Sequence, residues 1–540
     1  MRRLALRHAA VVALALAATA CAGAGGTADG GASGTDADPA HAEGSAGDER
    51  DGASSDELRI AMRVLPATLD PAGELSASYL RSVGANESLL KVQADGSVAP
   101  ALAAGIEQVD ATTWEVALRD DVTFWSGAPV DADAVVASLE RTRELSPLAA
   151  GLLDGVLIEA ADDATVVLTT PGLSPDLPFA LSHYMFGIHN VERHADAPET
   201  TDVAVADMTG PFRIVTFDTG RQLVLERNDA WWGQPPSIER IVAREVDDAD
   251  ARAQLALAGQ AHIVQDAPAD RADELEAAEG MTLVAAAAAN TVAVYLNPDS
   301  DASPALGDQR VREALAWALD REEVVQLATA GLSVPASSWL SSSPAYPDAA
   351  EQGFRQHDQA RAEALLDAAG WELDDAGHRQ KDGERLSFRL LTFGNEERTG
   401  EVLQAQWARL GVDVQVNNVD STLITQAIED GDWDAVTQAW TTLGATAELI
   451  AAQIGPDGSG NHGRYQLPEV PELLERARTV EDQDERTAAI YALNQAMVDH
   501  VPSIPVHPRV QATAVASNLR GFVAHPLQYE NLVQPDMTLE

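Results

Sequence analysis

Gly96 to Arg141 reads GSVAPALAAGIEQVDATTWEVALRDDVTFWSGAPVDADAVVASLER. Over Thr113–Arg119 the side chains of Trp114, Val116 and Leu118 fall on one face, the period of two that marks a half-buried strand. Asp131 then caps an expected helix from about Ala132 to Thr142, with Val135, Val136 and Leu139 turned inward. The same alternation extends outward from this stretch. Arg213–Phe217 and Gln222–Arg227 are β-rich runs joined by a turn at Asp218-Thr219-Gly220. Further helices are expected over Asp248–Ala258, Asp308–Ala328, Gln359–Ala369 and Glu397–Leu410. Gly259, Gly370 and Gly411 follow three of them, where a left-handed C-cap favours glycine. Strand periods alternating with helix periods predict an α/β architecture, and no internal repeat of fixed period interrupts it.

The N-terminus has its own composition. Arg2, Arg3 and Arg7 precede an apolar stretch from about Ala9 to Ala20, which is an export signal and too short to span a membrane. Cys21, the single cysteine of the 540 residues, stands directly after it. From there to position 56 the chain is rich in Gly, Ala, Ser, Thr, Asp and Glu, without a large apolar side chain up to Asp56, and reads as a tether. About 35 such residues have a reach of roughly 30 Å. With 85 acidic against 36 basic residues the net charge is −49, which disfavours nucleic acid and anionic lipid heads as partners. One cysteine excludes internal disulfides and thiolate metal sites, and no cofactor is expected.

The opening stretch resembles the extracellular solute-binding proteins of ABC importers, family 5, which include dipeptide, oligopeptide and nickel binders. The resemblance rests on P-x-LA at Pro100, the W-x-V-x-LR strand from Trp114, and a helix ending Leu139-Glu140-Arg141. A second block, TGPFRIVTFDTGRQLVLERNDAWWG from Thr209, is similar to the family's G-P-Y/F strand, hairpin and L-x-R-N-x-x-Y/W-W sequence. Further similarity runs through VREALAWALDRE from Val311, LGVDVQV from Leu410, DWDAVTQAW from Asp432 and the region from Tyr491. Cys21 looks like the acylated cysteine of a bacterial lipoprotein, although Ala18 replaces the usual leucine and Ala18-Thr19-Ala20 also fits ordinary cleavage.

The resemblance implies a two-lobed, periplasmic-binding-protein-like clamshell of mixed sheets flanked by helices, with an extra inserted domain. Residues 1–20 would be the signal and 21–56 the lipidated N-terminus and tether. The core of lobe 1 would comprise 57–94, 209–291 and 506–540, its inserted domain 95–208, and lobe 2 292–505. It further implies a monomer that holds a small molecule or peptide, works with an ABC permease and its ATPase subunits, and sits on the outer face of the cytoplasmic membrane through its lipid.

By the same similarity Trp440 abuts the ligand, with Thr441 and Thr442 after it. Peptide-binding members commonly carry an aspartate three residues beyond that tryptophan to pair with the ligand's α-amine; this chain has Leu443, with Glu448 as a nearby substitute. Asn461 matches a family asparagine, and His462, Arg464 and Tyr465 cluster with it. Trp125, which stands in place of a residue of the family's Phe-His-Asp-Gly turn, and Tyr79, in the early loop that borders the cleft in family members, complete the candidates. Enzyme motifs are weak. Ser88-Leu89-Leu90-Lys91 fits S-x-x-K but lacks a K-T-G partner, and His189 and His194 lie about 140° apart if helical, too far to share a metal from one face. The expected function is capture of a solute, most readily a peptide, for import. The alternatives are a non-peptide solute such as a sugar, opine-like compound or metal chelate, a surface sensor, and last a secreted hydrolase.

Overall fold

The computed structural model describes residues 56–194, 200–394, 396–444, 446–527, 530 and 532–540. The expected signal, Cys21 and nearly all of the tether lie outside these residues. Among the described residues, no helix is long and apolar enough to cross a membrane.

Among the described residues, ten strands form one continuous sheet, and two long ones, Met281–Leu296 and Ser503–Ala516, lie side by side at its middle. They pair antiparallel, Met281 opposite Ala516 at one end and Tyr295 opposite Ser503 at the other. On one flank Ile263–Val264, Glu57–Met62 and Arg240–Glu245 run parallel, followed by the hairpin Phe212–Asp218 and Gln222–Arg227. On the other flank lie Ala435–Thr441, Ser387–Thr392 and Asp413–Asn418, mutually parallel. A separate four-stranded antiparallel sheet contains Thr113–Leu118.

Burial follows the same division. One apolar core gathers Val294, Leu315, Leu390 and Trp407 with their neighbours, all from the stretch 294–506. A second gathers Leu58, Ile60, Phe212, Leu225 and Val515. A third, around Leu89, Trp114, Val116, Leu139 and Leu168, belongs to the four-stranded sheet and its helices. Each fully buried large side chain in such a core contributes about 2 kcal/mol.

Most expected elements occur within a few residues. The helix after Asp131 spans Ala132–Leu145, and the Asp131 side chain accepts from the Ala134 N–H. Gly259, Gly370 and Gly411 have φ of +64°, +86° and +84°, as left-handed caps require. The single helix expected over 308–328 is in fact two, Gln309–Trp317 and Arg321–Ala328. The first closes at the C-cap Ala318, and Asp320 caps the second by accepting from the Glu323 N–H at 3.0 Å, a local bond that competes with helix continuation.

His189 and His194 also depart from expectation. His189 precedes the short helix Val191–His194, so helical spacing does not apply, and the two rings meet edge to face at 5.2 Å. They belong to a buried polar knot. Arg141 donates to both carboxylate oxygens of Asp70, at 2.9 and 2.5 Å, and to His189 Nε2 at 3.0 Å. An imidazole that accepts from a guanidinium is neutral, and burial holds His189 down at about 3. The arginine of the Leu-Glu-Arg motif therefore ties the four-stranded domain to the loop after Glu57–Met62.

A second tie uses the paired tryptophans. Trp231 and Trp232 both donate through Nε1 to Glu87, at 3.1 and 3.3 Å. Burial nevertheless pushes the Glu87 carboxyl from 4.5 up to about 7. A folded-state value raised this way contributes stability fully below about 4.5, which is lost as pH rises toward 7. Glu87→Gln should therefore melt at a higher temperature than wild type at pH 8, by about 1–2 kcal/mol after allowance for partial exposure, with the gap closing below pH 4.5. Thermal melts across this range check it, and a variant less stable at pH 8 would contradict it.

Candidate functional site

Strand direction places the site. Ile263–Val264 is antiparallel to Ser503–Ala516 and parallel to Glu57–Met62, so both end pointing toward Ser503. Ala435–Thr441 is antiparallel to Met281–Leu296, with Thr441 opposite Asn290, so it and its parallel neighbours end pointing toward Met281. The two halves of the sheet thus turn the carboxyl ends of their parallel strands toward one another along the two crossing strands. Ligands of open α/β sheets bind outside such ends.

The ladder between the crossing strands is irregular at the same level. Register slips between Ala287/Val510 and Thr291/Pro508, and Pro505 and Pro508 supply no N–H. The backbone groups released there are taken up by neighbours. Ala289 donates to Pro526 O at 3.0 Å and accepts from the Thr442 N–H at 2.8 Å.

Trp440 and Thr441 finish the strand Ala435–Thr441 and are half-buried; the Trp440 indole donates to Gln438 Oε1 at 3.2 Å. Thr442 is buried, and its carbonyl accepts from the Ser343 hydroxyl at 2.7 Å. Leu443 is buried in an apolar cluster with Val92, Ala289 and Leu527, against which Val98, Phe179 and Ala345 pack. Leu443, where the resemblance led to the expectation of an acid, is therefore enclosed by hydrocarbon from three distant segments. Glu448 does not replace that acid, because it is exposed and held by Arg478 through two bonds of 2.6 and 2.7 Å.

The remaining candidates are dispersed. Asn461 donates to the carbonyls of Gly455 and Tyr465, at 3.0 and 2.9 Å, and accepts from the Tyr465 N–H, so its amide clips its own loop. Arg464 is exposed with φ of +51°. His462 lies edge-on to Trp433 at 6.4 Å, and the Tyr465 hydroxyl donates to Leu296 O. Trp125 is buried in the lobe-1 core and donates to Gly210 O at 3.1 Å. Tyr79 is half-buried beside Arg63 and Asp266, and burial raises its hydroxyl. Ser88 Oγ is buried, donates to Leu90 O and accepts from Arg81, whereas Lys91 is exposed, so the S-x-x-K residues occupy opposite environments.

Contacts that sequence reasoning missed join the four-stranded domain to the C-terminal half. Gly96 has φ of +87°, and a Cβ there would lie 2.9 Å from both Ala345 Cβ and Leu443 Cδ1. Asp176, pushed up to about 6 by burial, lies within the fields of Arg486 and Glu448. The two halves are in contact here around the end of the Trp440 strand. A turn glycine such as Gly96 carries no signal of its tertiary partner, which is why sequence reading passed over it.

A family model described as bacterial extracellular solute-binding proteins, family 5 Middle, matches residues 97–454, more than half of the chain. Protein XP55 of Streptomyces lividans is 28% identical over 426 residues, 76% of each chain. The nickel-binding protein NikA of Staphylococcus aureus is 22% identical over 453 residues, 82% of this chain and 87% of its own. Among solved structures, NikA from Brucella suis in complex with Fe(III)-EDTA superposes with a TM-score of 0.81 at 21% identity, over 90% of this chain and 100% of that one. AppA from Bacillus subtilis in complex with a nonapeptide gives 0.70 at 20% identity, over 90% and 99%. With its two-sided sheet and facing strand ends, this chain belongs to the family 5 extracellular solute-binding proteins of ABC transporters.

Proposed function

We propose that the protein is a lipid-anchored receptor that encloses a small organic solute between its lobes and presents it to an ABC permease. The observation that carries this reading is the convergence of both sets of strand ends on the crossing strands, with Trp440 at that level and lobe-to-lobe contacts beside it. We place the lobe boundaries at 57–94, 209–291 and 506–540 for the first, with 95–208 inserted, and 292–505 for the second; the separate apolar cores support this division. Acylation of Cys21 would hold the mature chain, as a monomer, at the outer membrane face on its tether. A solute that binds the closed form about 100-fold better than the open shifts the balance by about 2.7 kcal/mol, and no chemical step is required of the protein.

Trp440, Thr441 and Thr442 are the residues placed nearest the solute. The relatives' printed names include oligopeptide, dipeptide and nickel binding, and one solved neighbour holds agropinic acid. A peptide is the leading class. Leu443 supplies no anion for an α-ammonium, and an unpaired buried cation is costly, so the favoured peptide is one whose amine is capped or lies elsewhere. A metal chelate is the second reading, supported by the nickel-binding relatives.

Native mass spectrometry of freshly purified protein tests the reading: a retained small solute is expected, and its mass separates peptide from chelate. If the solute is a peptide, N-acetylated and free-amine forms should bind equally well; strict dependence on the free amine would contradict the assignment of Leu443. Gly96→Val should weaken binding of that solute by about tenfold by obstructing the contact with Ala345 and Leu443. Gly127→Val, with a similar φ of +86° but open space at its Cβ, imposes the same backbone strain and should leave affinity unchanged. Equal effects of both variants in titration calorimetry would show that strain, not closure, is responsible.

A further inference from the structure

Arg63 is the first residue beyond the strand Glu57–Met62, at a carboxyl end that faces the other lobe. Several arginines that border the crossing strands and the lobe-1 core are buried and bonded within the protein. Arg141 grips Asp70, and Arg81 donates to Glu530 and Ser88. Arg252 is spent on the carbonyls of Gln265, Val246, Asp247 and Asp266, and Arg321 donates to Pro505 and Ala316, with its Nη2 buried and unpartnered. Arg63 is held more loosely. Its side chain is 56% exposed, it reaches the Asp266 carboxylate only at 3.9 Å, and its charge lies near the Tyr79 hydroxyl.

The loop at Asp266 is tied to the crossing strand, the Ala267 N–H donating to Ala512 O at 2.8 Å, and on that strand Arg509, 47% exposed, is bonded to Glu396 at the start of a lobe-2 helix. Asp266 lies within the fields of Arg63, Arg252 and Arg509, and burial still raises its carboxyl. Its own backbone is left-handed, φ +50°, immediately after the strand Ile263–Val264, a conformation uncommon outside glycine and concentrated at functional sites. Glu245, whose carboxylate accepts from the Leu65 N–H at 2.9 Å, closes the group on the Tyr79 side.

The arrangement places two half-exposed guanidiniums, one from lobe 1 and one from a crossing strand, near one partly buried acid, Asp266, at the mouth between facing strand ends. A protein of net charge −49 repels anions at long range, so holding one requires fixed cations at the point of capture. Guanidinium is suited to this because its planar donors match a carboxylate bidentately. We propose that Arg63 and Arg509 form a carboxylate-binding subsite, so that the captured solute bears at least one carboxylate. This deepens the receptor reading above and rests on it. Arg63 makes the primary contact, with Tyr79 beside it, and Arg509 meets the carboxylate as the lobes approach.

The test uses the solute that mature wild-type protein retains, released by denaturation, together with its methyl ester prepared chemically. The free acid should rebind, the ester at least tenfold more weakly, and Arg63→Met should lose at least tenfold for the acid while removing the difference between acid and ester. Arg63→Lys should restore part of the affinity, and Arg509→Met should give a smaller loss. Unliganded melting temperatures close to wild type show that the variants fold. A retained solute with no group to esterify, an ester that binds as well as the acid, or an Arg63→Met variant that binds as wild type would overturn the subsite and leave the receptor standing. A wild-type protein that retains no solute would overturn the receptor reading and the subsite with it.

Discussion

Everything in this molecule depends on the pairing of two strands. Met281–Leu296 and Ser503–Ala516 carry the sheet from one lobe to the other, and each flank of the sheet attaches to a different edge of this pair. The pairing is continuous at both ends and irregular between, where Pro508 and the stretch Ala288–Asn290 interrupt it. A ladder of this kind fixes the direction of both lobes while leaving its middle with fewer interstrand bonds to resist bending. The carboxyl ends of the parallel strands then converge on the same level as a consequence of connectivity alone.

The acidic composition acts differently inside and outside. Outside, acids such as Asp131, Asp248, Asp320 and Asp482 cap helices, and the net charge of −49 keeps the chain dispersed by self-repulsion. Inside, the few arginines act as structural rivets, as Arg141 with Asp70 and the two histidines, and Arg321 and Arg312 with buried carbonyls. Removing one member of such a pair leaves an uncompensated buried charge, so these positions tolerate little change. Arg63 stands apart from them, with a largely exposed side chain and its acid, Asp266, no closer than 3.9 Å.

Local chemistry was legible in the chain. The alternation at Trp114, Val116 and Leu118, the cap at Asp131 and the glycines after three helices act over a few residues, and each produced the expected element. Asp320 shows the limit: a capping side chain inside a helical pattern decides between continuation and restart only when its bond to Glu323 forms. Tertiary partners were not legible. Leu443 announces the loss of an acid, but the hydrocarbon that replaces it comes from Val92, Ala289 and Leu527, segments hundreds of residues apart. Asn461 and Trp125 were selected on resemblance, and their polar atoms are committed to backbone carbonyls, a distinction that only coordinates reveal. Arg63 and Asp266 carry no motif, because what sets them apart is where two strands end.

The central claim is that the two halves close on a solute by bending the crossing pair, without altering the solute chemically. Small-angle scattering of the solute-stripped protein, before and after saturation with the solute it retains, measures this most directly. The account predicts a smaller radius of gyration on saturation and recovery of the solute unchanged in mass. Superimposable curves with the solute demonstrably bound, or a solute recovered chemically altered, would contradict it.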